Sequence, residues 1–161
     1  MLEAVPVIYA PPTRLVRITL HSRLMALGLA AASLALIYTA WRLTPSPDGI
    51  GTHTALGYLG CSMLINTGYP CPTCGMTTSF AWFYRGNLPA SFYVQPAGFV
   101  AAYLVGMLLL LSLYEAFTGR PLHRLMRFFP GKAMLIIGAT VFLLGWGWKI
   151  FIHRAGLDGW G

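Results

Sequence analysis

Cys71 and Cys74 stand in C-x-x-C spacing, and Cys61 precedes Cys71 by ten positions. That spacing puts two sulfurs on one turn, where they can hold a metal ion, close a disulfide or cycle between thiol states. A Cys₃His zinc site needs one further ligand, and His53 lies eight residues before Cys61. The metal reading therefore names Cys61, Cys71, Cys74 and His53, with zinc as the cofactor. The competing reading pairs Cys61 with Cys71 or Cys74 in a disulfide, which suits an oxidising compartment and leaves one thiol over. A thioredoxin-like dithiol normally sits on a βαβ scaffold, and the chain has no alternating strand pattern to build one. In favour of such a dithiol, Cys74 falls near the start of a short helix, where the dipole lowers a thiol pKa. In the plainest reading the cysteines are small packing residues, with Pro72 and Gly75 shaping a tight turn.

Other reactive patterns are sparse. Glu115 could be an intramembrane proton or ion site, but its place near the end of an apolar run lets it reach Arg120 or water as a charge anchor. The sequence has no phosphate-cradling glycine loop, serine elbow or paired-carboxylate motif. No catalytic residue is named, and the reading leans away from an enzyme.

The passage Thr67-Gly68-Tyr69-Pro70-Cys71-Pro72-Thr73-Cys74-Gly75-Met76-Thr77 resembles the marker of a family of small bacterial membrane proteins of unknown function, Thr-Gly-x-x-Cys-Pro-x-Cys-Gly-x-Thr. Cys61 upstream, and Gly86 and Pro96 downstream, stand at matching positions. The chain departs from that pattern with Thr73 for Gly, Thr78 for Arg and Gln95 for Asn. The resemblance implies a membrane-embedded fold carrying a cysteine motif, in a bacterial cytoplasmic membrane, and supplies no activity.

The elements that must position these cysteines follow from composition. Hydrophobic residues make up 57% and charged residues 9% of the 161, against about 25% charged in soluble domains, so lipid is the natural solvent. A net charge of +7 raises nucleic-acid binding as a possibility, but no basic stripe with interleaved aromatics exists and the cations bracket apolar runs. The expected fold is an all-α membrane protein, one domain over 1–161, with no nucleic-acid partner. Residues 24–41, 97–117 and 133–152 each have the length and apolar character of a crossing. Around them lie an N-terminal arm (1–23), a cysteine loop (42–96), a basic loop (118–132) and a tail (153–161). The first run is too long for a signal core, and Thr39-Ala40-Trp41-Arg42 is a poor cleavage site, so it reads as a retained anchor. Lys149 is expected to snorkel from the end of the third span, and Trp41, Trp146, Trp148 and Tyr38 to form interfacial belts.

Arg14, Arg17, Arg23, Arg120, Arg124, Arg127 and Lys132 crowd the arm and the basic loop, which places both on the cytoplasmic side. The cysteine loop and tail then face outside, the periplasm in a bacterium. His153 is on that side as a reserve ligand; His21 and His123 are not. Thr54 to Ile65 is apolar but shorter than a crossing, as in a re-entrant or interfacial segment, and Thr78 to Tyr84 reads as a short aromatic helix. In the basic loop, Leu122, Leu125, Met126 and Phe129 share one helical face opposite His123, Arg124 and Arg127, an interfacial-helix pattern. Gly98, Ala102 and Gly106 form a smooth stripe that another helix can approach closely. The leading functional expectation is a non-enzymatic accessory or structural subunit, or assembly factor, of a larger membrane complex, with membrane lipids and other membrane proteins as partners. The alternative is a metal-binding or thiol-redox membrane protein using Cys61, Cys71 and Cys74.

Overall fold

The computed structural model describes residues 20–119 and 131–160. The N-terminal arm up to residue 19 and most of the basic loop, with its interfacial-helix pattern, lie outside the described residues. All regular structure among the described residues is helical. Three long helices, α1 (Leu20–Arg42), α5 (Pro96–Thr118) and α6 (Gly131–Arg154), are long and apolar enough to cross a membrane. At 1.5 Å per residue each reaches about 35 Å, more than the roughly 30 Å hydrocarbon core. Between α1 and α5 lie a 3-10 turn (Thr52–Leu56) and three short helices, α2 (Ser62–Thr67), α3 (Met76–Tyr84) and α4 (Leu88–Val94).

The expected spans are each present and a few residues longer than read. Pro96 opens α5 at its first turn, where a missing N–H costs nothing. Three hydroxyls inside the spans are satisfied within their own helices: Thr39 donates to Ala35 O, Ser112 to Leu108 O and Thr140 to Ile136 O. These bonds allow a hydroxyl to sit in lipid without an unmet donor. Large side chains such as Leu24, Leu34, Leu104, Leu110, Leu135 and Leu144 face outward, and small ones turn inward. Ala26, Ala30, Ser33 and Ala40 are the buried residues of α1, which packs along α5. In a solvent as apolar as leucine, such close backbone approach supplies the van der Waals contact that holds helices together.

The small-residue stripe of α5 is occupied from within the chain. α3 lies against it: Ala102 is fully buried, and the Tyr84 hydroxyl donates to Ala102 O at 2.7 Å. A Cβ at Gly98 would come within 2.8 Å of Ser79 Cβ. α3 and α4 form a hairpin knotted by Ser79 and Ser91. Ser91 Oγ donates to Ser79 O at 2.8 Å, while Ser79 Oγ lies within bonding distance of the Ser91 carbonyl (2.9 Å) and the Gln95 carbonyl (3.1 Å). Phe83 and Phe92 each meet Phe99 edge-on, closing the hairpin on α5.

Two expectations are corrected here. Thr54 to Ile65 is not one apolar segment. Gly57 in the left-handed region ends the 3-10 turn, and α2 starts only after Cys61 caps it. Nor does Lys149 snorkel. It is fully buried, paired with Asp158 at 3.0 Å and donating to Gly49 O at 3.3 Å. The reason is that the loop folds back over the end of α6 and covers the lysine before its ammonium can reach water. Trp146 and Trp148 likewise donate to the loop, at Pro70 O (3.0 Å) and Tyr93 O (2.7 Å), beyond any belt role.

Candidate metal centre

The turn that carries Cys71 and Cys74 is built by its prolines and one glycine. Pro72 fixes φ at the second position, and Cys74 N–H closes the turn on Cys71 O at 2.9 Å. Gly75 follows with φ +84° and forms the N-cap of α3. Any Cβ there would stand 2.9 Å from Gly49 O and 3.4 Å from Lys149 Cε and Val94, so the position needs glycine for both its backbone and its surroundings. Carbonyls on either side of Cys71 are clamped by distant side chains. Trp146 Nε1 holds Pro70 O and Gln95 Nε2 holds Pro72 O, each at 3.0 Å. Gln95 is itself buried, and its Oε1 meets no donor among the described residues.

Cys61 arrives from the other direction as the N-cap of α2, with Leu64 N–H directed at its sulfur at 3.5 Å. The three Sγ atoms lie within 4.8 Å of one another. All three cysteines are free, and the Cys71 and Cys74 sulfurs are 3.2 Å apart. Zinc–sulfur bonds of about 2.3 Å at the tetrahedral angle put two sulfurs about 3.8 Å apart, so a small opening of the turn admits a metal ion. The sulfurs line a cleft of about 440 Å³ together with His53, Met63, Thr73, Met76 and Thr77.

The three thiols differ in ionisation. Desolvation works to raise Cys61, but hydrogen bonds from Leu64 N–H, the Cys74 and Cys71 thiols and the Cys71 backbone outweigh it and hold the pKa down at about 7. At Cys74, only 6% exposed, burial pushes the thiol strongly up, and the neighbouring Cys71 and Cys61 add to it. One outer sulfur therefore carries thiolate character near neutral pH while an inner S–H supports it, which is how a compact thiol cluster shares a single charge.

Of the residues expected at the site, the structure gathers Cys61, Cys71 and Cys74. His53 lines the same cleft, but its Nε2 lies 3.1 Å from Leu59 O and neither ring nitrogen joins the sulfur group. His153 is engaged by Asp158, and His21 lies in α1. Met63, Met76 and Thr73 were missed as lining residues, as were Trp146, Gln95 and Lys149 as supports. A lysine inside an apolar run, with an acid nine positions on, was a signal for the last of these. Residues 61–109, from Cys61 into the middle of α5, match the family described as Protein of unknown function (DUF2752). No curated protein and no solved structure matches the chain.

Proposed function

We propose that this chain is a membrane-anchored binder of a thiophilic metal ion, held by Cys61, Cys71 and Cys74 on the face where the loop packs over α6. The observation that carries the reading is the convergence of three sulfurs within 4.8 Å, from two separate turns, at the wall of an open cleft. Soft thiolates select zinc or copper(I) over hard cations. Cys61 is the thiol readiest to ligate, and binding displaces the protons of the other two. A fourth position is open to an exogenous ligand. On the distribution of lysine and arginine, the cleft faces the periplasmic side of a bacterial cytoplasmic membrane. The accessory-subunit reading rests on the lack of a recognisable reaction centre or transport pathway, whereas the three converging sulfurs are a positive observation, so the metal reading takes precedence.

Thiol exchange is the second reading, favoured by the approach of the Cys61 and Cys71 sulfurs to within 4.8 Å and by the depressed Cys61 pKa. In it, the Cys61 thiolate attacks an external disulfide and releases one external thiolate. Cys71 then displaces the second external thiolate, leaving a Cys61–Cys71 disulfide and two reduced external thiols.

Metal analysis of the purified full-length chain, with mass measurement after alkylation under nonreducing conditions, separates the two. Stoichiometric zinc or copper with three alkylatable thiols on metal removal supports the first reading. One disulfide without metal overturns it in favour of the second.

A further inference from the structure

Resting on the metal-binding reading, we infer that the cleft is built for monovalent copper in a three-sulfur site, with the Met63 and Met76 thioethers as its soft entry, rather than for a tetrahedral zinc ion. Zinc in protein sites takes four ligands, and a structural zinc site draws all four from the protein. Here the described residues bring only three donor atoms together. His53 is the one nitrogen donor in the cleft wall, and its Nε2 is already engaged by the Leu59 carbonyl. No carboxylate lines the cleft; Asp158 is committed to Lys149 and His153. Copper(I) has no need of a fourth ligand and prefers thiolate and thioether sulfur.

The methionines strengthen the distinction. Thioethers are neutral, polarisable and flexible, and they attract copper(I) while offering little to zinc. Met63 follows Cys61 by two positions in the first turn of α2, and Met76 follows Cys74 by two at the start of α3. Each half of the cluster thus places one methionine in the wall of the same cleft. A packing role alone would not require both sulfur-bearing side chains to line an open wall.

The test uses the reduced full-length chain in detergent under anaerobic conditions, loaded with copper(I) alone or zinc alone. One copper(I) per chain is expected, with copper-edge absorption showing three sulfur scatterers and no nitrogen. Met63→Leu with Met76→Leu should lower copper(I) affinity about tenfold, the scale of supporting-shell losses at metal sites, and leave zinc affinity unchanged. His53→Ala should alter neither. Leucine keeps the side-chain volume, thermal unfolding checks each variant, and the absorption edge of the unmodified chain decides the coordination without any variant. A large loss of zinc affinity in His53→Ala, with copper(I) bound equally by the methionine double variant and the parent, overturns the copper inference and leaves a thiolate metal centre standing. Failure of the reduced chain to hold either metal stoichiometrically overturns both.

Discussion

The indole N–H of Trp146 donates to the carbonyl of Pro70 across 3.0 Å, tying the last span to the residue that precedes Cys71. A single side chain on α6 thereby sets where the C-x-x-C turn begins. Trp146→Phe keeps most of the ring and removes the donor. The loss should be about 1 kcal/mol, the net value of one hydrogen bond, seen as a lower unfolding temperature in detergent together with faster alkylation of Cys71. An unchanged Cys71 rate would show that the clamp does not govern the turn.

Lys149 and Asp158 form the buried counterpart of that clamp, with the lysine wholly enclosed. Removing one partner strands the other, so Lys149→Met is expected to cost about 3 kcal/mol. Asp158→Asn should cost at least as much, because it strands a lysine that is wholly enclosed, whereas the aspartate stranded by Lys149→Met keeps some contact with solvent. The double variant should lose less than the sum of the singles, which a double-mutant cycle on thermal or denaturant unfolding reads directly. Simple additivity would mean that the ion pair contributes nothing as a pair.

The unequal thiols give a pH signature. Cys61, held down at about 7, is nucleophilic above that value and protonated below it. Its alkylation rate should therefore rise through pH 7 and level off by about pH 8.5, where an ordinary thiol is only half ionised. The same depression stabilises the folded loop fully above about pH 8.5, an effect lost as pH falls through 7. Cys74, raised by burial, should stay unreactive throughout that window. Rates followed by peptide mass distinguish the sites, and equal profiles would contradict the arrangement.

Helix contacts through glycine can be graded by distance. A Cβ at Gly145 would stand 2.7 Å from Ala97 Cβ and 3.0 Å from Ala97 N, whereas one at Gly106 meets only Tyr84 Oη at 3.8 Å. Gly145→Ala should destabilise by about 1–3 kcal/mol through overpacking and move α6 off α5, while Gly106→Ala stays near neutral. Equal effects in detergent melts would argue that α6 does not seat on Ala97.

Orientation is open to a direct measurement. If the cations of the arm and basic loop face the cytoplasm, Ser46→Cys is labelled by an impermeant thiol reagent on intact, reduced cells and Gly131→Cys is not. The opposite pattern would place the cysteine cleft in the cytoplasm.

Composition and run length were enough for the spans, because a bilayer imposes a strict length and polarity rule on any crossing. C-x-x-C spacing was enough for two of the three sulfurs, and Cys61 joined them as read. The supports were less legible. Lys149 had a signal in the acid nine positions on, but Trp146 looks like an ordinary membrane-end residue until the loop folds over it, a long-range event that leaves no local pattern. α4 has its own start signals, with Asn87 capping it through Ala90 N–H and Pro89 in its first turn, but they are short and lie inside a stretch whose length and composition read as loop. The occupant of the Gly98–Ala102–Gly106 stripe was likewise beyond the pattern, which demands a close neighbour without naming it.

The fold also imposes an order of events on its own synthesis. Trp146, Lys149 and Asp158, which hold the cysteine turn and the backbone beneath it, are added roughly 70 to 90 residues after Cys71 and Cys74, a delay of several seconds at about 5–20 residues per second. During that interval the thiols are present but the far ends of their clamps do not yet exist. The turn reaches its final support only when the last helix and its tail have emerged, so a chain that stops short of Asp158 carries all three cysteines without the full set of contacts that fixes where their turn sits.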